Sequence, residues 1–284
     1  MRRSWLPAAR VLRRGIKALL RPLAANAARN ASSQTHYEPR GWTANGLRGG
    51  GWNVESVAAV QEAHWPVLVR NLEGPGPLGV SHLPTRPTRE DLNDQNVMMS
   101  YGYVLARAAR NKQSVSILDW GGGLGHYYLY SRALLPEVPI EYHCYDVPAL
   151  CRVGRRLQPG VQFHEETDDL AGARFDLVIS SSSLHYFEDW QQVVGTLAQR
   201  TRGFLYIARL MTVARGPSFV VRQRSQQGYR TEFLAWFLNR QEVLECVQRL
   251  GMNFVREFVF EEDWVVKNAP EQGACRGFLF HRQE

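Results

Sequence analysis

The amino-acid sequence predicts an α/β fold in which a mostly parallel β-sheet carries helices on both faces. From residue 115 onward, short apolar runs alternate with longer segments of helical character, a pattern typical of strand–helix–strand units. A turn with glycine at every second position follows the first of these runs. Apolar residues make up 44% of the 284-residue chain, which suits a packed core and excludes a chain that is disordered throughout.

Two helices and a loop are predicted before the alternating region. A helix is expected over 54–69, and residues 73–88 form a loop rich in proline and glycine. A second helix is expected over 91–109. It begins with acidic residues and ends near Arg107 and Arg110, and this charge distribution matches the helix dipole.

Seven strands and further helices are predicted in the alternating region. The strands are expected at 115–118, 140–145, 161–164, 175–180, 203–208, 254–260 and 277–281. The helices are expected at 127–135, 148–157, 189–200 and 231–251, the last as one long helix or two. The last two strands are expected to pair antiparallel at one edge of the sheet.

The strongest functional signal is the segment SILDWGGGLGHYY, residues 116–128. Asp119 ends an apolar strand, and three glycines follow at every second position: Gly121, Gly123 and Gly125. Glycines let the backbone approach a ligand closely, and the N–H groups of the next helix face the ligand's carboxylate end. A dinucleotide-binding turn needs glycine or alanine where His126 stands, and no phosphate-binding GK[ST] follows. A tight turn without a ligand is the alternative interpretation.

Acidic residues after the next two strands extend this signal. Asp146 ends the second strand, where a carboxylate can accept both hydroxyls of a ribose. The segment FHEETDD, residues 163–169, follows the third strand. Glu166 is the best candidate for contact with an adenine amino group, with Glu165 and Asp168 as rivals. The alternatives are a turn-forming aspartate and a solvated acidic turn.

The fourth strand runs into SSSLHYFEDW, residues 181–190. Ligands of open α/β sheets bind outside the carboxyl ends of strands, so Ser181 is a candidate for cofactor binding. His185 is the first candidate for a general base and His126 the second, whereas a structural histidine is the alternative. Three further side chains are expected to shape the acceptor pocket: Tyr127, Tyr186 and Arg209.

Residues 211–230 are predicted to be an insertion that covers the bound acceptor. The segment contains several arginines, whose guanidinium groups suit phosphate or carboxylate. Arg222 is the candidate chosen for acceptor binding. A charged surface loop is the alternative.

The net charge of +7 is concentrated at the N-terminus. Eight of the 34 basic residues lie in residues 1–36, which contain no acid, so the remaining chain has 26 basic and 27 acidic residues. A nucleic-acid-binding surface is therefore not expected. The basic arm has an amphipathic pattern, and three interpretations stay open: peripheral contact with an anionic membrane, a transit peptide, and a loosely packed solvated helix.

The cysteines predict neither a disulfide framework nor a metal site. The chain has four: Cys144, Cys151, Cys246 and Cys275. They form no CxxC pair and have no zinc-site spacing, so reduced thiols in a cytoplasmic protein are expected. No apolar stretch is long enough to span a bilayer, although residues 1–36 could hold the protein peripherally at the inner membrane face.

The motifs in this order resemble the class I S-adenosylmethionine (SAM)-dependent methyltransferases over residues 114–282. More narrowly, GGGWNVESVAAV, LDWGGGLGHYY, SSSLHYFEDW, ARLMTV and FLAWFLNRQEVLECVQRLG resemble a family of bacterial methyltransferases associated with surface-polysaccharide and lipopolysaccharide biosynthesis. The resemblance implies a Rossmann-like methyltransferase fold with a seven-stranded sheet and an N-terminal helical extension. It also implies S-adenosyl-L-methionine as cofactor and a small-molecule or glycan acceptor.

The expected organisation is a basic arm over 1–36, a helical extension or cap over the acceptor site at 37–110, and a methyltransferase domain over 111–284. Methyl transfer by in-line displacement, as in O-methylation, depends on alignment and requires no metal. The alternatives are transfer to a protein or natural product and a non-catalytic SAM-binding module. The intact glycine pattern with Asp119 and Asp146 speaks against the module. The oligomeric state is not predicted.

Overall fold

The computed structural model describes residues 35–42, 46–82, 89–225, 228–262 and 265–282. The predicted basic arm over 1–36 therefore lies outside the described residues, except for its last two positions. These positions belong to a short strand, Thr35–Tyr37. The boundaries of the three predicted regions stay a prediction.

Six α-helices and ten β-strands lie in the described part of the chain. The helices are α1 (Glu55–Leu72), α2 (Leu92–Ala109), α3 (His126–Leu134), α4 (Pro148–Leu157), α5 (Trp190–Arg200) and α6 (Arg240–Arg249). The strands are β1 (Thr35–Tyr37), β2 (Val115–Trp120), β3 (Ile140–Tyr145), β4 (Gln162–His164), β5 (Phe175–Ser181), β6 (Thr201–Val213), β7 (Phe219–Arg224), β8 (Glu232–Asn239), β9 (Met252–Phe260) and β10 (Ala274–Arg282). Short 3₁₀ helices cover Thr167–Leu170 and Leu184–Tyr186.

The strands form one mixed sheet with β2 near its centre. Seven of them follow the order β4-β3-β2-β5-β6-β10-β9, in which β4 to β6 are parallel and β10 runs antiparallel to both β6 and β9. The chain moves outward from β2 through β3 to β4 and then returns to β5 on the other side. The carboxyl end of β2 is therefore a topological switch point, where α/β sheets bind ligands.

The sheet has three more strands than the seven predicted. Strand β7 pairs antiparallel with β1 and β8, and β8 runs parallel to the end of the long strand β6. The segment 211–230, predicted to be a covering insertion, therefore contributes strands. The local sequence FVVRQR is half apolar and half polar, so it resembles a surface loop until its pairing partners are known.

The predicted helix over 231–251 is wrong in its first half. Strand β8 occupies Glu232–Asn239, and α6 begins only after it. The strand is buried along most of its length on both faces, so its apolar residues do not alternate with polar ones. Periodicity cannot distinguish such a run from a buried helix.

Helices cover both faces of the sheet, as predicted. Residues of α1 and α2, such as Leu68 and Leu105, share one hydrophobic cluster with Ile117 of β2. Residues of α5 and α6 pack in a second cluster on the opposite face. The N-terminal helices are thus part of the main core, and this packing places α1 close to the carboxyl end of β2.

All four cysteines are buried and unpaired, in agreement with the predicted free thiols. Among the described residues, no helix combines the length and the apolar character needed to cross a membrane.

Candidate active site

The glycine turn connects β2 to α3 at the switch point of the sheet. Gly121 has a φ of 74°, which favours glycine, and a side chain there would collide with that of Ser183. A β-carbon at Gly123, whose φ is 62°, would lie 3.1 Å from the Oε1 atom of Gln61. Side chains are therefore excluded from this turn, and its backbone stays accessible to a ligand.

One cavity of about 980 Å³ lies against the turn. The structure brings nine of the predicted site residues to its wall: Asp119, Gly121, Gly123, His126, Tyr127, Asp146, Ser181, Tyr186 and Arg209. Four others do not line it: Gly125, Glu166, His185 and Arg222. Most of the predicted site is thus one place in the fold, although its residues come from distant parts of the chain.

Two carboxylates frame the turn. Asp119 is fully buried and accepts a hydrogen bond of 2.7 Å from the Tyr142 hydroxyl, and burial raises the pKa of Asp119 to about 7. Asp146 accepts 2.7 Å hydrogen bonds from the backbone N–H groups of Gly123 and Val147, one at each oxygen. Burial raises the pKa of Asp146 to about 6. The backbone contacts hold the Asp146 carboxylate in one orientation at the cavity wall.

The end of β5 contributes hydroxyl groups to the cavity. The Ser181 and Tyr127 hydroxyls are 2.8 Å apart and hydrogen-bonded. Burial raises the pKa of Tyr127 to about 12, so its hydroxyl stays protonated at neutral pH. Ser183 donates to the backbone oxygen of Trp120 at 2.7 Å and thereby ties the end of β5 to that of β2.

The N-terminal extension supplies cavity residues that sequence reasoning missed: Trp52, Asn53, Gln61 and His82. The Oε1 atom of Gln61 and the Nε1 atom of Trp52 are buried and have no hydrogen-bond partner among the described residues. Asn53 accepts a 3.2 Å hydrogen bond from the backbone N–H of Ala149 at the start of α4. The only sequence signal for this group is the GGGWN segment within the family resemblance.

Four aromatic residues form a second part of the cavity, here called the aromatic wall: Trp52, Tyr186, Tyr229 and Phe233. Trp52 stacks on Phe233 with ring centroids 4.3 Å apart and contacts the edge of Tyr186 at 4.9 Å. The Tyr186 hydroxyl donates to Gln223 at 3.0 Å. The wall presents large apolar surfaces of fixed orientation.

An ion pair between Arg209 and Glu262 also lines the cavity, with 2.6 Å between Nε and Oε1. Both side chains are largely buried, at 14% and 8% exposure. Against the effect of burial, the Glu262 carboxylate holds the pKa of Arg209 above its usual range. Arg209 has a φ of 50°. Backbone strain and buried charge are both costly and concentrate at functional sites, so this pair is a candidate for acceptor contact.

A sequence profile of the methyltransferase domain family matches residues 99–256. The chain belongs to this family. The predicted enzyme class, a SAM-dependent methyltransferase, is confirmed. No curated protein sequence matches the methyltransferase.

Solved structures of similar fold include a protein assigned as a sarcosine dimethylglycine methyltransferase from Galdieria sulphuraria. Its TM-score is 0.50 at 11% identity, over 79% of this chain and 98% of that one. Another is the magnesium protoporphyrin IX methyltransferase from Synechocystis PCC 6803 with bound SAM, with a TM-score of 0.47 and 15% identity over 80% of this chain and 95% of that one. At 11% identity, the similarity to the Galdieria sulphuraria protein shows the shared fold alone.

The residues of the methyltransferase fit its cofactor. The turn accommodates no side chains at Gly121 and Gly123, and its backbone is open to the cavity. Asp146 offers a carboxylate at the position suited to ribose hydroxyls. Val147 and Leu150 add apolar surface beside it. The cofactor end of the cavity thus combines a carboxylate, backbone groups and an apolar side, which suits a charged nucleoside derivative.

The predicted role of His185 as first general base needs correction. Its ring is buried, does not line the cavity and packs against Tyr186 at 4.2 Å between centroids. Neither ring nitrogen has a partner among the described residues, and burial lowers the pKa to about 3. A base must reach the proton that it removes. From this position the ring of His185 cannot touch an acceptor in the cavity.

His126, the second candidate, does line the cavity but at the glycine turn. Its ring hydrogen-bonds to the backbone of Gly122 and lies 4.6 Å from the ring of His82. Burial lowers its pKa to about 4, so it is neutral and only weakly basic at neutral pH. Its role as a base stays a prediction.

Glu166 and Arg222 are held by local contacts outside the cavity. Glu166 is exposed and caps the 3₁₀ helix Thr167–Leu170 by accepting a hydrogen bond from the backbone of Asp169. Arg222 pairs with Glu38 at 3.5 Å and with Glu232 at 3.4 Å. The predicted contacts of Glu166 with adenine and of Arg222 with the acceptor are therefore not formed from these positions, because both side chains are engaged in other contacts outside the cavity. Gly125 instead serves as the N-cap of α3.

Proposed function

We propose that this methyltransferase transfers the methyl group of SAM to a hydroxyl group of a small or glycan-type acceptor. The observation that carries the proposal is one cavity that joins the glycine turn, the aromatic wall and the Arg209–Glu262 pair. Methyl transfer by in-line displacement needs donor and acceptor side by side in one enclosed space. The cavity provides that arrangement, with chemically different ends.

At the cofactor end, Asp146 would hold the ribose hydroxyls, and the backbone of Gly121 and Gly123 would approach the amino-acid part. Ser181 and Tyr127, whose hydroxyls are hydrogen-bonded to each other, also line the cavity. Bound SAM supplies a methyl group on a sulfonium centre, which is already activated for transfer. The residues of the chain have to align the acceptor with that methyl group and exclude water.

At the acceptor end, the aromatic wall offers flat apolar surfaces that suit a ring-shaped acceptor. The Arg209 guanidinium donates hydrogen bonds and the Glu262 carboxylate accepts them, so the pair can orient hydroxyl groups on such a ring. We assign two roles to Glu262. Its carboxylate accepts a hydrogen bond from the reacting hydroxyl, and it takes up the proton that this hydroxyl releases on methylation. The sequence resemblance to enzymes of surface-polysaccharide biosynthesis supports a sugar hydroxyl.

Calorimetric titration tests the cofactor end. SAM and S-adenosylhomocysteine should bind the wild-type protein, whereas NAD should not. Asp146→Asn should weaken both sulfur ligands about tenfold or more, because hydrogen bonds to a charged group are lost. Binding of NAD, or no binding of either sulfur ligand, would contradict the proposal.

Transfer of a radiolabelled methyl group from SAM to a panel of sugars, nucleotide sugars and phenols tests the acceptor end. Glu262→Gln should lower kcat/KM for the acceptor about a hundredfold and leave the Kd of S-adenosylhomocysteine within about twofold. The neighbouring Glu261 also lines the cavity but is exposed, so Glu261→Gln is the matched control and should have little effect. Label found only in added protein would indicate a protein acceptor instead.

A further inference from the structure

Helix α1 brings one buried polar group to the cofactor end of the cavity. The side chain of Gln61 lines the cavity and is only 5% exposed. Its Oε1 atom has no hydrogen-bond partner among the described residues. Buried oxygens in folded proteins are nearly always hydrogen-bonded. An unpartnered oxygen in a cavity wall therefore indicates a donor group on the ligand.

Contacts on either side set the orientation of the Gln61 amide. The side chain hydrogen-bonds to the hydroxyl of Tyr229, and since Oε1 has no partner, this bond uses Nε2. The opposite end of the amide faces the glycine turn, where a β-carbon at Gly123 would lie 3.1 Å from Oε1. The oxygen thus lies over the open side of the turn, which a ligand must approach.

Several contacts hold α1 in place against α4, the helix that begins two residues after Asp146. Glu55 pairs with Arg152, and Glu62 pairs with Arg156. The hydrogen bond from the Ala149 backbone to Asn53 holds the residues just before α1. Gln61 is therefore positioned by the same helix that follows the ribose-binding candidate.

We infer that Gln61 binds the cofactor, with its Oε1 atom accepting a hydrogen bond from the α-ammonium group of SAM. The inference rests on the SAM binding proposed above. An amide oxygen can only accept hydrogen bonds, and the amino-acid part of SAM carries an ammonium with three donors. The ribose hydroxyls are already matched by Asp146. The N-terminal extension thus completes the cofactor site, beyond its predicted role as a cap over the acceptor.

A pair of ligands separates this role from a structural one. S-adenosylhomocysteine carries the ammonium, whereas 5′-methylthioadenosine keeps adenine and ribose but lacks the amino-acid part. Calorimetric titration of Gln61→Leu should show the Kd of S-adenosylhomocysteine raised about tenfold or more, with the Kd of 5′-methylthioadenosine within about twofold of wild type. Gln61→Glu keeps an acceptor oxygen and should preserve binding of S-adenosylhomocysteine.

A control variant completes the test. Glu62→Gln breaks a surface ion pair on the same helix and should affect both ligands equally or not at all. Equal weakening of both ligands by Gln61→Leu, or no weakening, would overturn the inference. Failure of the wild type to bind S-adenosylhomocysteine would instead refute the proposed cofactor.

Discussion

Asp146 carries a raised pKa at the point where the ribose is expected to bind. Burial raises this pKa to about 6, while backbone N–H groups of Gly123 and Val147 act in the opposite direction. A carboxylate accepts hydrogen bonds from both ribose hydroxyls only when it is ionised. In the free protein at neutral pH, Asp146 is largely ionised, and it becomes protonated as the pH falls below about 6.

We therefore expect the affinity for S-adenosylhomocysteine to fall by about tenfold between pH 7 and pH 5, because the ionised fraction of Asp146 falls by that factor. The measurement is calorimetry across this pH range. Asp146→Asn should have low affinity with a much flatter profile. A profile that persists unchanged in this variant would assign the titration to Asp119, whose pKa burial raises to about 7.

His185 offers a second prediction, on stability. Burial lowers its pKa from 6.5 to about 3, so below about pH 6.5 the unfolded chain takes up a proton that the folded chain does not. The free energy of unfolding is therefore unaffected by His185 above this pH and decreases as the pH falls below it. His185→Phe does not have this penalty. The difference in free energy of unfolding between His185→Phe and wild type should therefore be about 2 kcal/mol more favourable to the variant at pH 5 than at pH 8.

Urea denaturation at the two pH values measures this difference. His36 is exposed, so His36→Gln is the matched control and should show the same difference from wild type at both pH values. If His185→Phe differs from wild type by the same free energy of unfolding at both pH values, His185 takes up a proton in the folded protein and its ring is accessible to water.

At the scale of elements, the junction of β8 and α6 depends on one side chain. Asn239 accepts hydrogen bonds from the backbone N–H groups of Gln241 at 2.8 Å and Glu242 at 3.2 Å, and it donates to the Gly216 backbone oxygen at 2.8 Å. It therefore ends the strand, caps the helix and holds the loop before β7.

Asn239→Ala should lower the free energy of unfolding by about 1–2 kcal/mol, as loss of an N-cap does. Asn239→Asp keeps the capping oxygen and should recover most of this stability. Chemical denaturation compares the two variants. A loss in Asn239→Asp as large as in Asn239→Ala would show that the bond to Gly216, and not the cap, carries the stabilisation.

At the scale of the whole molecule, the extension before β2 is joined to the methyltransferase domain through shared core, cavity and strands. Arg222 links β7 to Glu38 and to the Gly46 backbone oxygen. Strand β1 pairs with β7 at Thr35–Tyr37. A truncation that removes the basic arm should therefore stop at residue 34 to leave this pairing intact.

We predict that the full chain sediments with vesicles containing anionic lipid and that a variant lacking residues 1–34 does not, because eight basic residues precede the body of the protein and attract anionic headgroups. Neutral vesicles are the control, and raised salt should weaken the association. Equal sedimentation of both proteins would remove the proposed membrane contact.

Elements with local signals were predictable from the sequence. Strand β3 and helix α4 have the predicted bounds, because an apolar run ends before Asp146 and Pro148 starts the helix. Strand β8 was not predictable, because it is buried on both faces and has no alternation. The same holds at the candidate site. Asp119 lies near the end of β2 and Asp146 directly follows the neighbouring strand β3, whereas no pattern in the sequence pointed to Gln61.

By itself, the sequence determined the methyltransferase turn and its two carboxylates, since glycine spacing and strand-end acids express local backbone requirements. Only the tertiary structure decided which side chains face the cavity. It turned His185 inward, committed Glu166 and Arg222 to local contacts, and brought Gln61 and Glu262 to the turn and to Arg209. These contacts depend on how separate helices and strands pack. Packing brings together residues that are far apart in the sequence, and their spacing along the chain does not predict the contact.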